Sequence, residues 1–207
     1  MTFAQPFSGY EILDRVGSGS MGTVFKARQK HMNRIVALKV LRPMLARNEK
    51  YVERLKREAR IVGALNHPNI VTGYDLGDEG GYHYFVMEFV EGVPISEYCA
   101  ERELNLPERL ELFIQVCEGV QHAHQKAIIH RDLKPSNVLV TEVDGKPVPK
   151  IIDFGVAKAM DDTLTDHTMQ TNVGQLLGTP AYMSPEQADM DSQGVDTRTD
   201  VYALSLI

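Results

Sequence analysis

The 207-residue chain has no tryptophan, only two cysteines and no long hydrophobic run. Cys99 and Cys117 have neither the spacing of a zinc site nor the density of a disulfide scaffold, a usage typical of a reducing compartment. The first ten residues lack the basic stretch and apolar run of a signal peptide. No segment approaches the roughly 20 apolar residues of a membrane span. These absences predict a cytoplasmic protein with no membrane segment within this chain.

The charge is divided unevenly along the chain. The formal net charge is −6, yet residues 1–90 hold 13 of the 22 basic residues and 9 of the 28 acidic residues. Residues 91–207 therefore carry a net charge of −10. This contrast fits two lobes with different surfaces, and it fits ordinary surface variation equally well. Because a nucleic-acid-binding protein should present a basic face, we expect no nucleic-acid partner.

Strand patterns dominate the first 90 residues, with one helix among them. Residues 10–19, 22–29 and 34–41 are rich in β-branched and aromatic residues and predict three strands. Two more strands are predicted at residues 70–77 and 82–90. Between these groups, apolar residues at intervals of three and four predict an amphipathic helix over residues 48–66: Val52, Leu55, Ala59, Val62 and Leu65.

Helical patterns follow Gly92. Pro107 can open a helix, whose buried face is predicted to contain Leu110, Phe113, Ile114, Cys117 and Val120. His122 and His124 on that helix point to different faces, so we expect surface or packing roles for them rather than a metal site. Asp144-Gly145 predicts a tight hairpin. Residues 153–184 show little periodicity, and residues 200–207 predict a buried helix.

A glycine-rich turn occupies residues 17–22, where Gly17, Gly19 and Gly22 form a G-x-G-x-x-G pattern. Such spacing lets backbone N–H groups approach phosphate oxygens. Residues 23–25 read as a strand rather than a helix, which excludes a Rossmann turn, and Thr23 stands where a Walker A lysine would be. A strand–turn–strand hairpin that covers phosphates remains, and the alternative is a merely flexible turn.

A lysine and a glutamate support the phosphate interpretation. Lys39 lies within the apolar strand over residues 35–40, and Glu58 falls within the apolar arc of the predicted helix. A carboxylate on a buried face is costly unless it is paired. We therefore expect Lys39 to pair with Glu58 at a position where the lysine also reaches a phosphate.

The most specific chemical signal is the segment over residues 130–137, which reads HRDLKPSN. Asn137 in this segment and Asp153, sixteen residues later, supply an amide and a carboxylate oxygen from adjacent hairpin strands, which are ligands that suit Mg²⁺. Asp132 is then left to orient an attacking hydroxyl. Each short motif alone could be an ordinary turn or a salt-bridged loop, but the joint occurrence of the motifs at these spacings argues against that interpretation.

These motifs together resemble the eukaryotic-type Ser/Thr protein kinases found in bacteria, from Tyr10 to the last residue. The matching motifs, in order, are GSGSMGTV, VALK, the helical Glu58, HRDLKPSN, DFG, GTPAYMSPE and DVYALS. The resemblance implies an α+β, bilobal kinase-like fold with an antiparallel β N-lobe, one regulatory helix and a mainly helical, incomplete C-lobe. The implied divisions are a tail (1–9), an N-lobe (10–87), a hinge (88–93) and a partial C-lobe (94–207), with an activation segment at about 153–186.

The same resemblance assigns roles in binding ATP with Mg²⁺, or with Mn²⁺ in its place. Asp132, Lys134, Lys39 and Glu58 are the implied catalytic set, and Asn137 and Asp153 the implied metal ligands. Met87 is the implied gatekeeper. The implied nucleotide contacts are Val16, Gly17, Ser18, Gly19, Ser20, Met21, Gly22, Val24, Ala37, Lys39, Met87, Glu88, Val90 and Leu139.

Regulation and substrate class are further implications of the resemblance. Arg131 before Asp132 suggests control by loop phosphorylation, with Thr168 and Thr171 as better candidates than Thr163 and Thr165. Lys134 and Thr179 match the Ser/Thr rather than the Tyr subgroup. Protein substrates with Ser or Thr acceptors are the expected partners, with self-association for autophosphorylation.

The match also shows departures from the family pattern. The family's domain normally continues through further helices. Ser205 replaces the glycine that is usual at its position. The arginine that normally pairs with Glu186 comes from those further helices, so we expect Glu186 to lack that partner. An active Ser/Thr kinase is the first hypothesis, because every catalytic position is filled. A non-catalytic nucleotide-binding or interaction module is the alternative, and a small-molecule phosphotransferase is a weaker third.

Overall fold

The computed structural model describes residues 7–19, 21–154, 180–188 and 195–207. The chain divides into two compact units. The first unit comprises Met1–Asn66 and Val71–Glu91, and the second comprises His67–Ile70 and Gly92–Ile207. Each unit has its own β-sheet and its own helices.

The first unit contains a five-stranded antiparallel sheet, in the order β1-β2-β3-β5-β4. Its strands are β1 (Tyr10–Ser18), β2 (Gly22–Gln29), β3 (Arg34–Leu41), β4 (Gly73–Glu79) and β5 (Tyr82–Glu88), and its helices are α1 (Pro43–Ala46) and α2 (Glu49–Gly63). The five predicted strands are therefore confirmed. β4 begins three residues later than predicted. Ile70, the first residue of the predicted strand, belongs to the second unit and forms a parallel bridge with Ile151 there.

Helix α2 has the amphipathic character that its sequence predicts. The side chain of Asn48 accepts a hydrogen bond from Lys50 N and caps the first turn. The helix buries Val52, Leu55, Glu58, Ala59 and Val62. It ends at Gly63, three residues before the predicted end. Its buried stripe thus presents one carboxylate, Glu58, among apolar side chains.

The second unit contains a three-stranded sheet in the order β6-β7-β8, together with most of the helices. Its elements are β6 (Val93–Pro94), α3 (Ile95–Glu101), α4 (Leu106–Gln125), β7 (Val138–Val143), β8 (Lys146–Ile151), α5 (Pro185–Ala188) and α6 (Thr197–Leu204), with 3₁₀ turns at Pro135–Asn137 and Pro180–Tyr182. The predicted hairpin joins β7 to β8, and Asp144 and Gly145 both adopt positive φ there.

The buried face of α4 differs from the sequence prediction. The helix buries Leu112, Val116, Gly119, Val120 and Ala123, so that Val120 is the one predicted residue on this face. Leu110 and Ile114 are 48% and 55% exposed. A Cβ on Gly119 would lie 2.9 Å from the Ile151 side chain, and this missing side chain lets β8 pack on that side. The prediction was wrong because α4 carries apolar residues on two sides.

Helix α6 was predicted as a buried helix, and only one of its faces is buried. It begins at Thr197, where the Asp196 side chain accepts a hydrogen bond from Arg198 N, and it buries Thr199, Asp200 and Ala203. Val201 is exposed on the other side. Within the described ranges, no helix combines the length and the apolar character needed to cross a membrane.

Candidate functional site

The glycine-rich turn joins β1 to β2, and its three glycines face different surroundings. A Cβ on Gly22 would collide with the Val40 carbonyl oxygen of the neighbouring strand, so this position requires glycine for packing. A Cβ on Gly17 or Gly19 would meet no described atom within 4 Å. These two glycines therefore leave the space above the turn open to a ligand.

Arg42, which the sequence prediction missed, lies just after β3 and holds this turn. Its Nη2 donates to the Gly19 carbonyl at 2.6 Å, and its backbone N–H donates to Met21 O at 3.2 Å. Gly19 N in turn donates to Gly22 O at 2.9 Å. The turn is thus an anchored structure rather than a purely flexible loop. No sequence signal marks Arg42, because the contact spans 23 residues.

The ion pair expected between β3 and α2 is present. Lys39 Nζ lies 2.6 Å from Glu58 Oε1, and the two side chains are only 15% and 7% exposed. As the sequence predicts, Glu58 lies on the buried face of α2 and Lys39 lies on β3. Burial keeps both side chains in one geometry, so the lysine ammonium is held at a defined position next to the sheet.

The other predicted nucleotide contacts of the first unit lie on four strands, in the glycine-rich turn and just after β5. The four strands are β1, β2, β3 and β5. Met87 is buried and pairs with Ala37 across the sheet. Glu88 exchanges hydrogen bonds with Thr72 through its backbone N–H and its carboxylate. The remaining positions, partly buried or exposed, are Val16, Ser18, Met21, Val24 and Val90. Ser20 lies outside the described residues, and Leu139 lies on β7 of the second unit.

In the second unit, one fully buried carboxylate braces the loop before Asp132. Asp200 on α6 accepts hydrogen bonds from the backbone N–H of His130 and of Arg131, each at 2.8 Å. His124 Nε2 lies 2.7 Å from the same carboxylate. His124 thus has a packing role, and it also has a specific polar partner that the sequence prediction did not include. This contact joins residues 76 apart, and periodicity could not have indicated it.

The buried imidazole of His130 orders the loop from inside. Its Nε2 lies 3.1 Å from Ile152 O, and its Nδ1 lies 3.3 Å from Asp132 N. A neutral ring with its proton on Nε2 satisfies both contacts. Burial lowers the pKa of His130, an effect that the nearby Asp200 carboxylate opposes. The Phe154 ring packs on the imidazole, with centroids 4.6 Å apart.

The Asp132 carboxylate lies among side chains of its own loop. Lys134 Nζ is 3.0 Å from Asp132 Oδ2. The Asn137 amide nitrogen donates to Asp132 O at 2.8 Å and to Asp132 Oδ2 at 3.2 Å. The structure thus brings together Asp132, Lys134 and Asn137, as three of the predicted site residues. Their arrangement gives the carboxylate a fixed orientation beside a cation.

The predicted metal ligands Asn137 and Asp153 have donor atoms that fit a hard divalent cation. Because the Asn137 nitrogen points at Asp132, its amide oxygen is the atom left to face a cation. Ile152, just before Asp153, donates its N–H to the backbone carbonyl oxygen of Asn137 at 2.9 Å. Asp153 has φ +53°, a left-handed conformation that few residues besides Gly, Asn and Asp adopt readily. A carboxylate and an amide oxygen on neighbouring backbone suit Mg²⁺.

The segment after Asp153 is described only in part. Thr163, Thr165, Thr168, Thr171 and Thr179 lie outside the described residues. Glu186 has a hydrogen-bond partner on α6. Its Oε1 accepts a hydrogen bond from Thr199 Oγ1 at 2.8 Å. The pKa of Glu186 is lowered, first by its own backbone N–H and then by this hydroxyl.

Comparisons with known proteins identify the family of this chain. The family model described as "Protein kinase domain" matches residues 10–207. The serine/threonine-protein kinase PrkC of Bacillus subtilis is 39% identical over 210 residues, covering 100% of this chain and 31% of the relative. The serine/threonine-protein kinase pkn3 of Myxococcus xanthus is 41% identical over 201 residues, covering 96% of this chain and 36% of the relative.

A solved structure extends the comparison to the fold. The kinase domain of Mycobacterium tuberculosis PknI superimposes with a TM-score of 0.70 at 29% identity, covering 99% of this chain and 75% of that chain. This likeness confirms the predicted α+β kinase-like fold. The chain spans about a third of the length of the curated relatives it matches. The chain belongs to the protein kinase family, alongside the serine/threonine kinases of bacteria.

Proposed function

We propose that this chain is the catalytic domain of a protein Ser/Thr kinase, which transfers the γ-phosphoryl group of ATP to a Ser or Thr hydroxyl of a protein. The observation that carries this proposal is the setting of Asp132. Its carboxylate lies between Lys134 Nζ and the Asn137 amide on a loop that Asp200 braces. Such a preorganised acid beside a cation suits the positioning of a hydroxyl nucleophile.

The first unit supplies the groups that suit the nucleotide phosphates. Lys39, held by Glu58, presents an ammonium group at a fixed position. The open space beside Gly17 and Gly19 leaves room for phosphate oxygens to approach the backbone of the turn. We assign Lys39 to the α- and β-phosphates. Met87, Glu88 and Val90 are proposed to meet the adenine.

The second unit supplies the groups for the metal and the acceptor. Asn137 and Asp153 would hold Mg²⁺, or Mn²⁺ in its place. The bound cation would neutralise charge on the phosphate oxygens. Asp132 orients the acceptor hydroxyl and takes its proton as the oxygen bonds to the γ-phosphorus and ADP leaves with the electrons of the broken P–O bond. Lys134, next to Asp132, stabilises the negative charge that develops nearby.

Substrate class and location complete the proposal. Lys134 and Thr179 match Ser/Thr rather than Tyr kinases, and the relatives are serine/threonine-protein kinases by name. We propose protein substrates, with a second copy of this chain among them. Cys99 and Cys117 are both free thiols, which suits activity in the reducing, ATP-containing cytoplasm.

A transfer assay tests the function directly. The 207-residue chain, incubated with γ-labelled ATP, Mg²⁺ and a generic basic protein, is expected to label Ser and Thr residues of that protein. Asp132→Asn keeps the size of the side chain but removes its charge and one acceptor oxygen, and is expected to lower the rate by about 100-fold or more. Nucleotide-dependent thermal stabilisation without any transfer would instead favour the nucleotide-binding module.

Loop autophosphorylation is the regulatory part of the proposal. A phosphate on Thr168 or Thr171 would add about −1.5 to −2 charge and could pair with Arg131. We expect mass spectrometry after incubation with ATP to find phosphate on at least one of these threonines. Activity should rise with its occupancy. If Thr163, Thr165, Thr168 and Thr171 all stayed unmodified while a substrate was labelled, this mode of regulation would be wrong.

A further inference from the structure

Gln187 on α5 connects two segments of the second unit through both atoms of its amide. Its Nε2 donates to the Arg131 carbonyl at 2.8 Å. Its Oε1 accepts from Ser184 N at 3.2 Å and lies 3.4 Å from Ser184 Oγ. Ser184 itself is fully buried. The amide is therefore oriented by Ser184 so that its nitrogen faces the loop that carries Asp132.

The backbone that Gln187 contacts is in an unfavourable conformation. Arg131 has φ +67°, in the left-handed region, which is unfavourable for a residue with a side chain. Its N–H donates to Asp200 Oδ1 at 2.8 Å. Its carbonyl accepts from Gln187. Asp200 and Gln187 thus hold the two peptide groups that flank this residue, one from each side.

The peptide group held by Gln187 is the one that leads directly into Asp132. Its carbonyl belongs to Arg131 and its N–H to Asp132, and that N–H donates to His130 Nδ1 at 3.3 Å. Because a peptide group is planar, fixing both of its polar atoms fixes the direction in which the Asp132 Cα leaves it. A shift of the carboxylate by about 1 Å is enough to cost a large part of the rate of a positioned reaction.

We propose that Gln187 is a positioning residue for Asp132, acting through the Arg131 carbonyl. This inference rests on the proposed function, since it concerns the same reaction. It assigns a role to a side chain outside the glycine turn, the ion pair and the metal ligands. The hydrogen bond that Gln187 donates is the essential one, and those that it accepts from Ser184 orient the amide.

Three substitutions test the hydrogen bond that Gln187 donates to Arg131 separately from those that it accepts from Ser184. Gln187→Met has a similar length and makes neither contact. Gln187→Glu can accept from Ser184 but cannot donate to Arg131, and Gln187→Lys can donate but cannot accept. We expect kcat to fall by about tenfold or more for the Met and Glu variants and by less than about threefold for the Lys variant. The KM for ATP should change by less than about twofold in all three.

Gln121→Met is the matched control, because Gln121 lies on the exposed surface of α4.

A structural role alone would give a different pattern. If kcat fell equally in the Met, Glu and Lys variants together with the thermal midpoint, Gln187 would merely support the fold and the inference would be wrong. The inference is supported if kcat stays close to wild type in Gln187→Lys and falls in Gln187→Met and Gln187→Glu. Equal kcat in Gln187→Met and wild type would overturn the inference and leave the proposed function intact.

Amide hydrogen exchange tests the contact without any turnover. In Gln187→Met we expect the N–H groups of Arg131 and Asp132 to exchange about tenfold faster than in wild type, while the core of α4 is unchanged. Unchanged exchange at both residues would contradict the inference. A wild-type chain that transfers no phosphate would contradict the proposed function, and the exchange measurement would still decide whether Gln187 holds the loop.

Discussion

Asp153→Asn is expected to lower the rate of phosphoryl transfer by about three orders of magnitude, or roughly 4 kcal/mol of activation free energy. The substitution removes the one negative charge from the proposed metal-ligand pair and keeps the shape of the side chain. Asparagine is the informative choice, because Asp153 has φ +53° and alanine there would add backbone strain. Steady-state transfer at saturating ATP and at increasing Mg²⁺ measures the effect.

Asp144→Asn provides a matched control for this substitution. Asp144 lies in the β7–β8 turn of the same unit and has φ +51°, so that both positions make the same change in nearly the same backbone conformation. Its rate should stay within about twofold of wild type, since an exposed hairpin carboxylate makes little contribution. If the two variants had similar activity, the assignment of Asp153 as a metal ligand would be wrong.

Lys39→Met is expected to lower transfer by about 100- to 1,000-fold, because the variant keeps the apolar stem of the lysine and loses the ammonium proposed to meet the phosphates. The same change removes the cation beside the buried Glu58 carboxylate, 2.6 Å away. We therefore also expect a lower thermal midpoint. Transfer rates and thermal unfolding are measured on the same preparations.

Two further variants separate catalysis from stability at this ion pair. Lys39→Met combined with Glu58→Gln should recover much of the thermal midpoint, since the buried charge is gone, while the rate stays low. Lys56→Met is the matched control, because Lys56 pairs with Glu53 on the exposed side of the same helix. It should leave both quantities nearly unchanged. A double variant that regained activity would refute the role of Lys39 at the phosphates.

Local patterns predicted much of the fold and the chemistry of the site. The strands of the first unit, α2 and the β7–β8 hairpin follow from periodicity and turn residues, which act over a few positions. Glu58 was recognisable because a carboxylate interrupted an otherwise apolar stripe. For each of these features, the pattern that predicts it lies within a short stretch of neighbouring residues.

The failures concern choices that only tertiary packing makes. On α4, apolar residues occur on two sides, and the helix buries the side where Gly119 admits Ile151, a choice invisible in the periodicity. The contacts of Arg42 with the glycine turn and of His124 with Asp200 join distant segments. No single-sequence pattern records such pairings, because they depend on how the elements dock.

The enclosed carboxylate on α6 affects how inactive variants of this chain should be interpreted. Asp200 has no exposed surface and would touch neither nucleotide nor acceptor, yet it links helix α4, the backbone of His130 and the backbone of Arg131. A genetic screen for loss of phosphoryl transfer would therefore recover changes at position 200 as readily as changes at Asp132. A variant at position 200 would be inactive although Asp200 contacts no reacting atom. A folding assay run beside the activity assay would distinguish variants that disturb this brace from variants that remove a reacting group.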